Sequence, residues 1–134
     1  MYLLDTNVVS ELRRTRPHPA VLAWMEAANE TDLYLSAVTI AEIQSGIERV
    51  RDQDTPKADE LENWLNMIAA TYSILPMDAA AFRCWARLMH HRSDTLYEDA
   101  MIAATALCNG LTVVTRNTRD FVPFEVPALD PFGL

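Results

Sequence analysis

Lysine is almost missing from this sequence: of 11 basic residues one, Lys57, is lysine and the others are arginine. Against them stand 19 acidic residues, for a formal net charge of −8. That balance excludes a protein that holds nucleic acid by blanket neutralisation of phosphates. It leaves room for an enzyme that reaches phosphates through bound cations. Cysteine is scarce as well. Cys84 and Cys108 both fall in helix-like stretches and are not spaced as a pair, and with His18, His90 and His91 they make no zinc pattern. They are expected to be core thiols in a reducing cytosol. No long apolar run is present. The longest uncharged stretch, Ala100 to Thr115, is 16 residues and contains the break Asn109-Gly110, whereas a bilayer span takes about 18 or more. Asp5 interrupts the apolar start and no basic region precedes it, so no secretory signal is expected. Neither repeats nor low-complexity tracts occur. The expectation is a cytoplasmic protein with no membrane partner.

What is there is globular. In 134 residues, 50% are hydrophobic and 22% charged, which suits one domain over residues 1–134. At that size a core buries ~70% of the extended-chain surface without a metal or disulfide staple. Tyr2-Leu3-Leu4 reads as a short strand that Asp5-Thr6-Asn7 turns into a helix, Val8 to Leu12. A Pro-punctuated basic linker, Arg13 to Pro19, leads to a second helix, Ala20 to Ala28. Leu33-Tyr34-Leu35 is the second strand, and Ser36 is placed to cap the next helix. From Val38 to Arg51, Ile40, Ile43, Ile47 and Val50 recur at the helical period. Asp52 to Glu62 reads as a solvated turn entering a helix that carries Leu61, Trp64, Leu65 and Ile68. Ser73-Ile74-Leu75 is strand-like, and Asp78 caps a helix to about His91 with Phe82, Trp85, Leu88 and Met89 inward. Tyr97 to Asn109 is a further helix stopped by Gly110, and Leu111 to Thr115 is the strongest strand. Short apolar strands alternating with helices predict an α/β three-layer sandwich: a short central parallel sheet flanked by helices.

Ligands of such sheets bind outside the carboxyl ends of the strands. Asp5 directly follows the first strand. Glu42 lies one turn into the helix after the second, on the border of an apolar stripe. Asp99 opens the helix before the strongest strand and shares the face of Ile102 and Ala103, which packs inward. Asp120 follows that strand by five residues, on the loop leaving it, with Asn117 between. Each aspartate has an ordinary alternative: Asp5 as a helix cap, Asp99 as a partner of the helix dipole, Asp120 as a turn former. Together, carboxylates gathered at one sheet end repel one another unless a divalent cation neutralises them, and hard oxygen ligands suit Mg²⁺ or Mn²⁺. Such a centre fits phosphodiester hydrolysis. No Ser/His/Asp or Cys/His arrangement competes with it.

Four blocks of the sequence carry a resemblance: Leu4-Asp5-Thr6-Asn7, Leu35 to Glu42 (LSAVTIAE), Glu98 to Ala106 (EDAMIAATA), and Thr115 to Phe121 (TRNTRDF). In this order and spacing the chain resembles the PIN-domain ribonucleases, above all the VapC-type toxins of bacterial toxin–antitoxin pairs and their FitB-like members. The resemblance implies a PIN-like fold, metal-dependent cleavage of an RNA substrate, and a homodimer that enters toxin–antitoxin assemblies. It also implies inhibition by a small cognate antitoxin, with DNA reached only through that antitoxin. Asp5, Glu42 and Asp99 match the acidic triad that holds the metal. Asp120 or Asn117 takes the fourth position, and Thr6 and Thr115 match small hydroxyl residues that line the site. Arg116 and Arg119 flank it. Antitoxins of the family lie over an apolar groove between helices, for which Trp24, Trp64 and Trp85 are candidates.

Two other readings stand beside this one. Aspartyl-phosphate phosphatases and receivers also gather aspartates and Mg²⁺ at strand ends, but they use a lysine near the phosphoryl group, and Lys57 lies in an acidic turn. A catalytically inactive PIN scaffold would only bind a partner. Retention of the three acids argues against it, since a scaffold has no reason to bury repelling charges.

Overall fold

The apolar strands read from the sequence form the centre of the molecule, and a computed structural model describes residues 1–133. Strands β1 (Tyr2–Leu4), β2 (Leu33–Ser36), β3 (Ser73–Leu75), β4 (Thr112–Val114) and β5 (Ala128–Leu129) make one sheet in the order β3-β2-β1-β4-β5. Every pairing is parallel, with Leu4 opposite Leu35 on one side and Val114 on the other.

Because side chains alternate across a strand, adjacent residues of β1 and β4 feed two different cores. Leu3 and Val113 point to one face, where they meet Ala100, Ile102, Ala103 and Ala106 of helix α6 (Tyr97–Asn109). Trp85 and Leu88 of α5 (Ala79–Met89) pack against the same cluster. Leu4, Leu35 and Val114 point to the other face, against Val8 and Val9 of α1 (Thr6–Glu11) and Val21 of α2 (Pro19–Ala27). Ile40 and Ile43 of α3 (Ala37–Arg51) and Ile68 of α4 (Thr55–Thr71) complete that layer. The result is the expected three-layer sandwich. Both sheet faces are covered, which is why the strands read as unbroken apolar runs.

Local chemistry sets the helix ends. Ser36 Oγ accepts from Val38 N at 3.1 Å and Asp78 Oδ1 from Ala81 N at 2.9 Å, capping α3 and α5. Gly110 closes α6 at φ 65°, the left-handed conformation that glycine adopts without strain. His18 is neither a ligand nor a loose linker residue, since its Nδ1 accepts from Ala20 N at 3.2 Å at the start of α2. Glu11, a buried carboxylate, holds the basic linker by accepting from His18 N at 3.0 Å and pairing with Arg14.

Four expectations need correction. The acidic stretch after Asp52 is not a long turn, because α4 begins at Thr55 with Asp54 as cap and a proline in its first turn, a position where the missing N–H costs nothing. Phe82 does not face inward; it is 44% exposed, lying one turn before Trp85 and beyond the edge of the core stripe. The cysteines are not core thiols: Cys84 is half-buried and Cys108 exposed, the two sulfurs facing each other between α5 and α6. Finally, residues after Thr115 are not simple loop. A 3-10 turn (Thr118–Phe124), β5 and a second 3-10 turn (Pro131–Gly133) fold back onto β4, with Thr115 N donating to Leu129 O at 2.9 Å.

Among the described residues, no helix is long and apolar enough to cross a membrane.

Candidate active site

At the carboxyl edge of the sheet the chain leaves the three adjacent strands β2, β1 and β4 side by side, and this geometry assembles the site. Asp5 stands at the centre. It is 7% exposed, its backbone N donates to Val114 O at 2.8 Å, and Oδ1 accepts from Thr6 N at 2.8 Å at the start of α1. The cap reading of Asp5 is therefore correct, but it accounts for one oxygen only. Oδ2 accepts from the fully buried hydroxyl of Thr115 at 2.8 Å and from Asn7 Nδ2 at 3.3 Å. Asn7 also donates to Thr115 Oγ1 at 3.2 Å, and its Oδ1 accepts from Arg116 N at 3.1 Å. Asn117 N donates to the same threonine oxygen at 3.0 Å. One buried hydroxyl thus knits the ends of β1 and β4 together.

Helix α3 brings Glu42 to this point. The Thr6 hydroxyl donates to Glu42 Oε1 at 3.0 Å and lies 3.0 Å from the buried Thr39 hydroxyl. Helix α6 brings Asp99 from the opposite layer, half-buried in the first turn. Asp120 is exposed in the first turn of the 3-10 stretch after β4.

Burial and mutual charge perturb these carboxyls. Burial pushes Asp5 above the ordinary aspartate range; its bonds from Thr115 and Thr6 oppose the rise, and the charge of Asp120 adds to it. Burial also raises Glu42, to about 7, with the bond from Thr6 opposing and the charges of Glu98 and Asp5 adding. Asp99 is pushed up to about 6, by burial first and then by Asp5, Asp120 and Glu98. Four acids on four different elements therefore share one electrostatic neighbourhood. As positioned, no three acidic, histidine or cysteine side chains among the described residues are near enough to ligate one ion together. The donor set fits a hard divalent cation in its chemistry: oxygens only, desolvated, and mutually unfavourable when ionised.

Sequence reasoning missed three participants. The charge of Glu98 helps to raise the Glu42 carboxyl, a proximity set by how α3 packs on α6. Asn7 and Thr39 join the hydrogen-bond network around Asp5 and Thr6. The signal for Asn7 was in the string, a third polar residue directly after an apolar strand, but turn formation explained it equally well. Thr6 donates to Glu42 and Thr115 to Asp5, so both hydroxyls border the acids. Asn117 and Arg116 line a polar bowl beside Asp120. His90 and His91 are exposed beyond α5, and Lys57 sits on α4, 3.5 Å from Glu60.

A parallel sheet of this strand order, with carboxylates from β1, α3 and α6 gathered at its carboxyl edge, defines a PIN domain. The chain belongs to the PIN domain family, whose pattern matches residues 2–124. It is 39% identical to the VapC ribonuclease Y4jK of Sinorhizobium fredii, over 97% of this chain and 94% of that protein. It is 34% identical to Toxin FitB of Neisseria gonorrhoeae, over 98% of this chain and 99% of the toxin. The crystal structure of FitAcB from Neisseria gonorrhoeae superposes with a TM-score of 0.89 at 35% identity, each chain covered over 100% of its length.

Proposed function

We propose that the protein is a metal-dependent endoribonuclease acting as the toxin of a toxin–antitoxin pair. The observation that carries this reading is geometric: Thr6 links Asp5 to Glu42 through contacts of 2.8 and 3.0 Å at the carboxyl edge of the sheet, and burial with mutual charge raises Glu42 to about 7 and Asp99 to about 6. Groups held so far from their solution values are costly to a fold unless something compensates them, and they gather at functional sites. Asp5, Glu42 and Asp99 would hold Mg²⁺ or Mn²⁺, with Asp120 at the open side. When bound, the ion supplies neutralisation and Lewis acidity at the phosphoryl group.

The chain's own groups do the rest. Thr115 and Thr6 hold Asp5 in one rotamer, so its oxygens need not reorganise when the substrate arrives. Thr6 orients Glu42 through Oε1. Without metal, the Glu42 carboxyl carries a proton up to about neutrality, so metal and protons compete for the same oxygens. The phosphotransfer reading loses its lysine, since Lys57 pairs with Glu60 on the outside of α4.

An antitoxin would lie in a groove between helices. A groove of about 180 Å³ runs between α1, α3 and α4, with Ile43, Ile47, Leu61 and Trp64 along it and Thr6 and Glu42 at its end. A basic side chain from a helix in that groove would reach the raised carboxylates. Of the three tryptophans, Trp64 alone lines it; Trp24 packs edge-on to Tyr2 and Trp85 donates to Tyr97 O. Homodimerisation is supported by the apolar surface of α5 and α6, where Phe82, Tyr97 and Leu107 are 44%, 42% and 38% exposed. Contact with DNA would run through the antitoxin, because the toxin's own charge is −8.

The test is cleavage of a structured RNA by the purified chain. Activity should require Mg²⁺ or Mn²⁺ and stop in EDTA. Cleavage that persists in EDTA, with Asp99→Asn as active as the wild type, overturns the metal centre. Growth arrest on expression, relieved by the neighbouring small gene, tests the toxin role separately.

A further inference from the structure

Beside the acids, the end of the chain builds a platform that their chemistry does not require. Phe132 lies in the last 3-10 turn, which packs on α2, and its ring sits half-buried against the core of Val8 and Val21. Two contacts fix it: its backbone N donates to Asp130 Oδ1 at 2.8 Å, and His18 meets the ring edge-on at a centroid distance of 5.4 Å. On this ring lies the guanidinium of Arg116, 4.4 Å from the centroid. The backbone of Arg116 is pinned too, by its N–H to Asn7 Oδ1 at 3.1 Å, and Asn7 in turn donates to Asp5.

The stack leaves the donors of Arg116 free among the described residues. Among the described residues no carboxylate lies within 4 Å of its guanidinium and its side chain makes no hydrogen bond. That is so although Asp120 and Asp130 line the same polar bowl of about 440 Å³, together with Asn117, Thr118 and Arg119. A guanidinium lying on an aromatic face keeps its N–H groups at the edge, turned outward in a planar fork, and much of the entropy of an arginine side chain is already spent. That fork matches the two non-bridging oxygens of a phosphodiester. The bowl borders Asp120, so a strand crossing the acids passes over it.

Resting on the ribonuclease reading, we propose that Arg116, laid on Phe132 and backed by His18, binds a non-scissile backbone phosphate of the RNA. It would supply the fixed positive charge that an acidic protein needs to hold a polyanion in register with its acidic site.

The experiment measures binding of a short fluorescein-labelled single-stranded RNA by anisotropy, across a series of salt concentrations. An Asp99→Asn background prevents cleavage during the measurement. On that background Arg116→Gln should bind about tenfold more weakly at low salt and lose about 0.7 from the slope of log affinity against log salt, the value for one single-strand phosphate contact. Arg116→Lys keeps the charge without the fork, so it should retain the slope and lose affinity. Phe132→Leu should behave the same way, for loss of the platform. Arg49→Gln, an exposed arginine on α3, is the control and should match its parent. If the parent binds RNA and Arg116→Gln keeps both its affinity and its slope, the proposal is overturned. It is equally overturned if Arg116→Gln leaves RNA binding intact but weakens the complex with the co-expressed small partner, which would make the bowl a protein contact. A parent that binds no RNA at all removes the ribonuclease reading itself, an outcome the wild-type arm reports independently of Arg116.

Discussion

Asp99→Asn should stabilise the metal-free protein, the reverse of what loss of a first-turn carboxylate does to an ordinary helix. Asp99 is raised from 3.8 to about 6 by burial and by the charges of Asp5, Asp120 and Glu98. At ~1.4 kcal/mol per pKa unit this would amount to about 3 kcal/mol in a dry site. The carboxyl is half-exposed, so solvent screening reduces the figure to about 1 kcal/mol. For a chain of this size that is a rise in Tm of about 3–5 °C. The sign depends on pH. A carboxyl whose folded pKa exceeds its unfolded value gives stability that is complete below the unfolded pKa and lost as pH rises through the folded one. Metal-free wild type should therefore weaken between roughly pH 4 and 6 through Asp99, and onward to about 7 through Glu42. The mutant should lack the first part of that decline and meet the wild type below about pH 4, where the aspartate is neutral in both states. Magnesium reverses the order, adding up to ~2.7 kcal/mol to the wild type at a hundredfold excess over the dissociation constant and little to the mutant. Melting curves followed by circular dichroism in EDTA and in a magnesium series, at about pH 8 and pH 4, should cross on titration with metal. Parallel shifts in both proteins, or a mutant that melts lower in EDTA at the higher pH, would show that Asp99 serves the helix and not an ion.

Thr115→Val removes a buried hydroxyl that serves Asp5, Asn7 and Asn117. It should lower metal affinity about 10–100-fold by calorimetry and destabilise the fold by about 1–3 kcal/mol in urea. Gly110→Ala places a Cβ where nothing lies within 4 Å but φ is +65°; its cost of about 1 kcal/mol is purely conformational, and RNA cleavage should be unchanged. Asp78→Ala deletes the cap of α5, whose start meets the C-terminal part of α6 at Thr105 and Cys108, and should likewise lose about 1 kcal/mol of stability with activity intact.

Local rules account for the features legible in the string. The apolar runs of β1, β2 and β4 had to be doubly buried strands, because nothing else tolerates so little polarity in so few residues. Asp5 at the end of such a strand, Glu42 on the border of the α3 stripe and Asp99 on the inward face of α6 were directed toward the carboxyl edge once the sheet was parallel. Packing decided the remainder. Strand β5 is two residues long, too short for any period, and exists because Val113 N and Thr115 N need acceptors that Pro127 O and Leu129 O provide. Glu98 and Asp99 are neighbours in sequence, and which of them acts on Glu42 depended on the rotation of α6 against α3. Phe82 belongs to the helical period of α5, yet that helix covers only the margin of the core, so periodicity placed it one position too far inward. Cys84 and Cys108, unremarkable in spacing, come face to face because α5 and α6 pack along their lengths. The contact of Arg116 with Phe132 joins residues from two turns that carry no pattern at all. Hydrogen bonding and hydrophobic period act over a few residues and are written in order along the chain. Which side chains finally meet is settled by the packing of whole elements, and that is a property of the assembled fold.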